Sequence, residues 1–135
     1  METLKCMRIE DRPAAGTPAG EVDPSPMFGT WLNTDKNTGG VVRMELRESG
    51  GRFAGQAWGA GSPELFDWGE SAATAHAASV GSREGMAFSA RYDFGFVETY
   101  LAAYTKSGIL VLDTFNTFKD GSGRANYFTR EFFHR

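Results

Sequence analysis

Apolar and polar residues alternate along most of this chain, and short turn sequences separate the alternating segments. Val42, Met44 and Leu46 alternate with charged residues, a period of two typical of a β-strand with one buried face. Such segments recur about every ten to twelve residues with Gly-rich hairpin signals between them, which indicates an antiparallel meander. The pattern therefore predicts eight strands, at residues 28–33, 41–48, 52–58, 65–75, 85–93, 96–104, 109–118 and 124–134.

The fourth segment is the least defined of the eight. Residues 65–75 form either a strand or a loop leading into one, and residues 72–78 could form a helical turn because alanine favours helix. Eight strands close into a barrel without exposed edges, whereas a β-sandwich needs a long Greek-key crossover, for which only residues 59–84 have the length. We therefore expect an all-β fold, an eight-stranded antiparallel up-and-down β-barrel. The pattern does not decide which face of each strand points inward.

The N-terminal segment differs in composition from the rest. Residues 1–10 could form a short strand, but residues 11–26 carry four of the five prolines together with alanine and glycine, which is a linker composition. The predicted organisation is a flexible Pro/Ala/Gly-rich leader at 1–26 and a single barrel domain at 27–135.

Composition and charge narrow the class of protein further. A chain of 135 residues has the size of one domain, and its net charge of −3 with no cluster of Lys and Arg argues against a nucleic-acid partner. The 17 glycines and 11 phenylalanines suit short strands joined by tight turns. Cys6 is the only cysteine, so no internal disulfide forms. With no apolar stretch for a signal peptide or a membrane span, a cytoplasmic location without a membrane partner is expected.

Several kinds of site chemistry lack support in the sequence. His76, His134 and Cys6 do not have the spacing of zinc ligands, and the sequence around Asp120 reads as a plain turn rather than a calcium loop. No Gly-x-Ser-x-Gly nucleophile elbow occurs, and no Gly-rich turn precedes a helix in a dinucleotide-binding context. We therefore predict no metal and no cofactor.

Two short motifs resemble a known superfamily. Gly29-Thr-Trp31-Leu-Asn33, followed by Gly51-Arg-Phe-Ala-Gly55, is similar to the opening of the calycin superfamily, most of all its avidin and streptavidin branch, and the first-strand motif also occurs in lipocalins. The resemblance implies that Trp31 seals one end of the barrel and that Asn33 points into the cup toward a ligand. Ala57 stands where the family has its ligand-binding tyrosine, so the same resemblance argues against biotin.

A second group of aromatic residues supplies further candidates. Two Trp-Gly pairs, at Trp58 and Trp68, flank a loop that contains Pro63, an arrangement that is similar to small bacterial barrel proteins. The two indoles could stack on a sugar or cap a hydrophobic ligand at the barrel mouth, or they could simply anchor the loop. Three tyrosines offer a hydroxyl over a hydrophobic body, as ligand pockets often do, although ordinary core packing is equally compatible: Tyr92, Tyr100 and Tyr104.

The leading hypothesis is a binding protein that holds a small hydrophobic or amphipathic molecule inside the barrel. The alternatives are a cofactor-free cyclase or isomerase, with Glu98, Tyr100 and Arg91 as acid–base candidates, and a carbohydrate-binding or structural oligomeric module. An outer face with exposed apolar residues would leave patches that need a partner, so a homo-oligomer, dimer or tetramer, is expected. The predicted ligand-binding residues are Asn33, Trp58, Trp68, Tyr92, Tyr100 and Tyr104, and the apolar residues considered for the outer face are Leu101, Val111, Phe115 and Phe132.

Overall fold

The computed structural model describes residues 20–135, which form one closed, antiparallel, eight-stranded barrel. Each strand pairs with the next, and β8 returns to β1 through the pairs Leu32 with His134 and Asn33 with Phe133. The predicted all-β up-and-down barrel is confirmed, whereas the short strand predicted at residues 1–10 lies outside the described residues. The strands are β1 Gly29–Asn33, β2 Val41–Ser49, β3 Arg52–Gly59, β4 Phe66–Ala77, β5 Gly85–Asp93, β6 Val97–Lys106, β7 Ile109–Phe118 and β8 Tyr127–His134.

The fourth strand, β4, is continuous over twelve residues, so the helical turn considered for residues 72–78 is wrong. Ala73 pairs with Ala90 and Ala75 pairs with Phe88 of β5. Interstrand hydrogen bonds and the packing of these small side chains beside Phe88 outweigh the intrinsic helix preference of alanine, which is a weak effect.

One end of the barrel is covered by residues 20–28, which we call the N-terminal strap. Within it Ser25–Met27 forms a short 3-10 helix, and the Gly85 amide donates a 2.7 Å hydrogen bond to the Asp23 carbonyl. The predicted flexible leader spans residues 1–26, of which residues 1–19 lie outside the described part of the chain, and residues 23–26 contact the closed end of the barrel.

Trp31 lies at the closed end, where the resemblance to calycins places it. Its side chain is fully buried, and its indole nitrogen donates a 3.0 Å hydrogen bond to the Met27 carbonyl of the strap. The Arg135 guanidinium lies 4.4 Å from the centre of the indole ring. Within residues 20–135, no helix has the length and hydropathy needed to cross a membrane.

Large apolar side chains fill the barrel between this end and the opposite end, the mouth. The prediction that Leu101 lies on the outer face is wrong, because its side chain is fully buried among the core residues of β2, β5 and β7. The mouth is formed by the loops at 34–40, 60–65, 94–96 and 119–126. The largest core side chains are those of Trp31, Phe88, Phe133, Met27, Met44, Leu46, Leu101, Leu110 and Leu112.

Candidate functional site

Two adjoining cavities open at the mouth, with volumes of about 440 Å³ and about 230 Å³. Both are lined by Phe66, Trp68, Asn116 and Tyr127, so we treat them as one space and call it the mouth cup. Small-molecule sites in proteins usually have volumes of about 300–1,000 Å³, and the mouth cup falls in that range. The remaining wall of the larger cavity is mainly aromatic and comprises Phe94, Phe96, Val97, Thr99, Phe118 and Arg124.

Trp68 is held in one orientation in the wall of the mouth cup. Its ring makes edge-to-face contacts, at centroid distances of 5.4 Å, with both Tyr92 and Phe94. Gly59 leaves room for the indole, because a Cβ at that position would lie 2.8 Å from Trp68 Nε1. Among the described residues the indole N–H has no hydrogen-bond partner, so it is available as a donor to a bound molecule.

Arg124 brings a positive charge to the same wall. Its guanidinium lies 4.3 Å from the centre of the Phe118 ring and forms a 2.6 Å ion pair with Asp120. Hydrogen bonds from Ser122, followed by the contact with Arg124, lower the pKa of Asp120 to about 2. The turn between β7 and β8 therefore fixes the position of the guanidinium beside the mouth cup, and the carboxylate of Asp120 serves this turn.

A row of hydroxyl and amide groups crosses β6, β7 and β8 on the inner wall of the barrel. We call Thr99, Asn116, Thr114 and Thr129 the polar ladder; its first three members are almost completely buried. Thr99 Oγ1 donates to Asn116 Oδ1 over 2.7 Å, and Asn116 Nδ2 donates to Thr114 Oγ1 over 3.1 Å. The hydroxyls of Thr114 and Thr129 lie 2.5 Å apart.

A backbone carbonyl determines the orientation of the Asn116 amide within the polar ladder. The Tyr127 carbonyl, which can only accept, lies 3.4 Å from Asn116 Nδ2, so the NH₂ group of Asn116 faces both Tyr127 and Thr114. The Thr114 hydroxyl accepts from Asn116, and between Thr114 and Thr129 either hydroxyl can be the donor. The Thr129 hydroxyl has no other hydrogen-bond partner among residues 20–135, and it lines the smaller cavity of the mouth cup.

Asn33 lies inside the barrel, as the resemblance to the avidin branch implies, but its polar atoms contact the chain itself. Its Nδ2 donates to the Val41 carbonyl over 2.9 Å and to Glu131 Oε2 over 2.5 Å, and its Oδ1 accepts a hydrogen bond from the Asp35 amide. Glu131 also accepts from the Thr38 hydroxyl and from the Val41 amide. This cluster therefore joins β8 to the β1–β2 loop at the seam where the barrel closes.

Tyr92 is buried beneath the aromatic wall. Its hydroxyl donates a 2.7 Å hydrogen bond to the Gly69 carbonyl, and its ring stacks on Phe94. Burial raises the pKa of this hydroxyl to about 12, and an opposing hydrogen bond from the Ala57 backbone reduces the effect. Tyr92 therefore supports Trp68 and Phe94 from behind.

The expectation that Tyr100 and Tyr104 line the cup is wrong. Their side chains are 50% and 38% exposed and lie on the outer surface of β6. The inward positions of this strand are Thr99, Leu101 and Ala103, which are buried. Both faces of β6 carry apolar side chains, so the alternation is correct but the choice of face is reversed.

Trp58 and Trp68 do not form a pair at the mouth. Trp68 points into the barrel, whereas Trp58 lies on the outer face, where the Arg43 guanidinium lies 4.0 Å from the centre of its ring. A register shift between β3 and β4, near Trp58, separates the two indoles. The arrangement therefore does not provide the expected two-tryptophan platform for a sugar.

The acid–base candidates Glu98, Tyr100 and Arg91 also lie on the outer surface. Arg91 pairs with Glu98 over 3.2 Å, and Lys119 pairs with Asp93 over 2.8 Å beside them. These residues face away from the mouth cup, so they are not positioned to act on a molecule inside it. Glu131 is the one carboxylate in the wall of the two described cavities, and within residues 20–135 no group of three His, Cys, Asp or Glu side chains could hold a metal ion.

Comparison of the chain with protein-family models, with curated proteins and with solved structures gives no match. The closed eight-stranded barrel is consistent with a calycin-like fold.

Proposed function

We propose that this protein binds a small amphipathic molecule in the mouth cup. The observation that carries the proposal is the Thr129 hydroxyl at the end of the polar ladder, which has unused hydrogen-bonding capacity and lines an aromatic space of ligand size. An ordinary apolar core would not direct such a hydroxyl into open space, because unsatisfied polar groups in a protein interior cost free energy.

The polar groups of the mouth cup indicate the chemistry of the ligand. The Trp68 indole N–H and the Arg124 guanidinium are donors, and the Thr129 hydroxyl can donate or accept. Glu131, the carboxylate in the wall, already accepts hydrogen bonds from Asn33, Thr38 and Val41. The ligand is therefore a molecule with an apolar body for the phenylalanine wall and acceptor oxygens, as in a ketone, an ester or a carboxylate.

Native mass spectrometry of the purified protein tests for a retained ligand, and anilinonaphthalene sulfonate provides a direct probe with an apolar body and acceptor oxygens. Phe96 and Phe128 form a matched pair for this experiment, because they are 49% and 50% exposed but lie at the mouth and on the outer face, respectively. Phe96→Ser should weaken dye binding roughly tenfold, because it removes wall area that the dye covers, while Phe128→Ser should leave it nearly unchanged.

Thr129→Val tests the polar half of the proposal, since it keeps the shape of the side chain and removes the hydroxyl that lines the cavity. The expected loss is about 1 kcal/mol, or roughly fivefold in dye affinity. Thr117→Val, on the outer face of β7, is the control. If neither Phe96→Ser nor Thr129→Val weakens binding and the purified protein carries no small molecule, the mouth cup is not a binding site.

A further inference from the structure

The outer face of β6, β7 and β8 carries two rows of apolar side chains, which we call the outer patch. In the first row Tyr100, Phe115 and Phe128 lie side by side in register, and each is about half exposed. The second row pairs Tyr104, Val111 and Phe132 in the same way; the two rings are 38% and 48% exposed, and Val111 is 6% exposed. A solvent-exposed sheet face normally carries polar residues, so these rows indicate a covered surface.

A single ion pair separates the two rows. Arg130 and Asp113 are direct neighbours on β8 and β7, and the guanidinium binds both carboxylate oxygens, at 2.7 Å and 2.9 Å. The outer patch therefore has one positive and one negative group at its centre, on neighbouring strands. One row of apolar side chains lies on each side of this ion pair along the strand direction.

We infer that the outer patch binds a second copy of this chain in a two-fold symmetric dimer. A two-fold axis that lies in the contact plane, parallel to the strands and between β7 and β8, places each Asp113 opposite Arg130 of the second copy. The same operation places Phe115 opposite Phe128 of the second copy. The patch is thus complementary to itself in both charge and shape, which is the requirement for a symmetric dimer contact.

The area of the outer patch fits this occupant. A fully covered aromatic side chain buries about 150–250 Å², so five that are about half exposed provide about 400–600 Å² on each copy. A standard interface buries about 800 Å² per partner, including its polar rim, so the patch supplies an apolar centre of suitable size. The five are Tyr100, Tyr104, Phe115, Phe128 and Phe132.

Analytical ultracentrifugation over a concentration series tests the inference directly. The wild-type protein should sediment as a dimer that dissociates on dilution. Phe128→Ser should raise the dissociation constant at least about tenfold, since aromatic residues at interface centres contribute most of the affinity. Phe96→Ser, at the mouth and equally exposed, should leave the dimer intact, which separates this inference from the proposed ligand site.

Charge exchange tests the orientation of the two copies. Asp113→Arg and Arg130→Asp each place like charges opposite one another across the axis, so each variant alone should be monomeric. In an equimolar mixture the Asp113→Arg copy contributes two positive groups and the Arg130→Asp copy contributes two negative groups. A mixed dimer should therefore form. Both variants lose the ion pair within the chain, so a purely structural role would not restore association on mixing.

A monomeric wild-type protein at the highest soluble concentration would overturn the inference and leave the outer patch to a partner of another kind. A dimer that survives Phe128→Ser, or two charge variants that fail to associate on mixing, would overturn the two-fold arrangement about an axis between β7 and β8.

Discussion

Replacing Tyr92 by Phe tests whether the Tyr92 hydroxyl, beneath the mouth cup, is shielded from water in the folded protein. The substitution keeps the ring that packs on Trp68 and Phe94 and removes only the hydroxyl that donates to the Gly69 carbonyl. Loss of one such hydrogen bond should lower the free energy of unfolding near neutral pH by about 1 kcal/mol.

The larger effect should appear at alkaline pH. Burial raises the pKa of Tyr92 from 10.0 to about 12, so between these values the unfolded chain loses this proton while the folded chain keeps it. The free energy of unfolding contributed by this group is therefore fully present below pH 10 and falls as the pH rises toward 12. The total loss should approach about 3 kcal/mol, because one pKa unit corresponds to about 1.4 kcal/mol.

Urea unfolding at a series of pH values from neutral to strongly alkaline measures both effects. The wild-type protein should lose stability above pH 10, and Tyr92→Phe should lose distinctly less over the same range. Thr117→Val, at an exposed position of β7 without a titratable group, is the control and should follow the wild-type curve. If the curves of Tyr92→Phe and the wild type run parallel above pH 10, the reasoning about burial is refuted.

Two further substitutions test the ends of the barrel. Gly85→Ala should destabilise the protein by about 1–3 kcal/mol in thermal or urea unfolding, because its Cβ would lie 2.5 Å from a backbone oxygen of the strap. Gly39 has open space around it, so Gly39→Ala should change stability little and is the control. An equal loss in both variants would contradict the tight strap contact. Glu131→Gln should lower the free energy of unfolding by about 1–3 kcal/mol in the same measurement, since it turns an acceptor of three hydrogen bonds into a group that also donates. Glu48→Gln, on an exposed side chain, is the control and should change stability little. Equal stability of the two Gln variants would show that the seam does not depend on this carboxylate.

The number, order and direction of the strands could be predicted from the sequence because period-two alternation and hairpin turns are local signals. The face that each strand turns inward could not be predicted for β6. Its outward positions carry Tyr100 and Tyr104 and its inward positions carry Leu101 and Ala103, so both faces have the appearance of a core. The outer patch is itself the physical reason for the wrong assignment.

The candidate site was predictable only in part. Trp68 follows from its sequence context, and the inward position of Asn33 follows from the resemblance to calycins. The polar ladder is distributed over three strands, and its hydrogen bonds exist only after β6, β7 and β8 pair in register. The local signal was the spacing of Thr114 and Asn116, two residues apart on β7, which places both on one face without indicating that the face is buried.

The alternation along β7 and β8 makes these two strands unusually intolerant of insertions. A single added residue within β7 would shift every following side chain to the other face of the sheet. Phe115 would then enter the cavity, and Asn116 would be left on the surface, so one insertion would damage both proposed surfaces at once. The exposed loop at 119–126, which joins the same strands, could change in length without reversing either face of the strands, but such a change would displace Arg124 from the wall of the mouth cup.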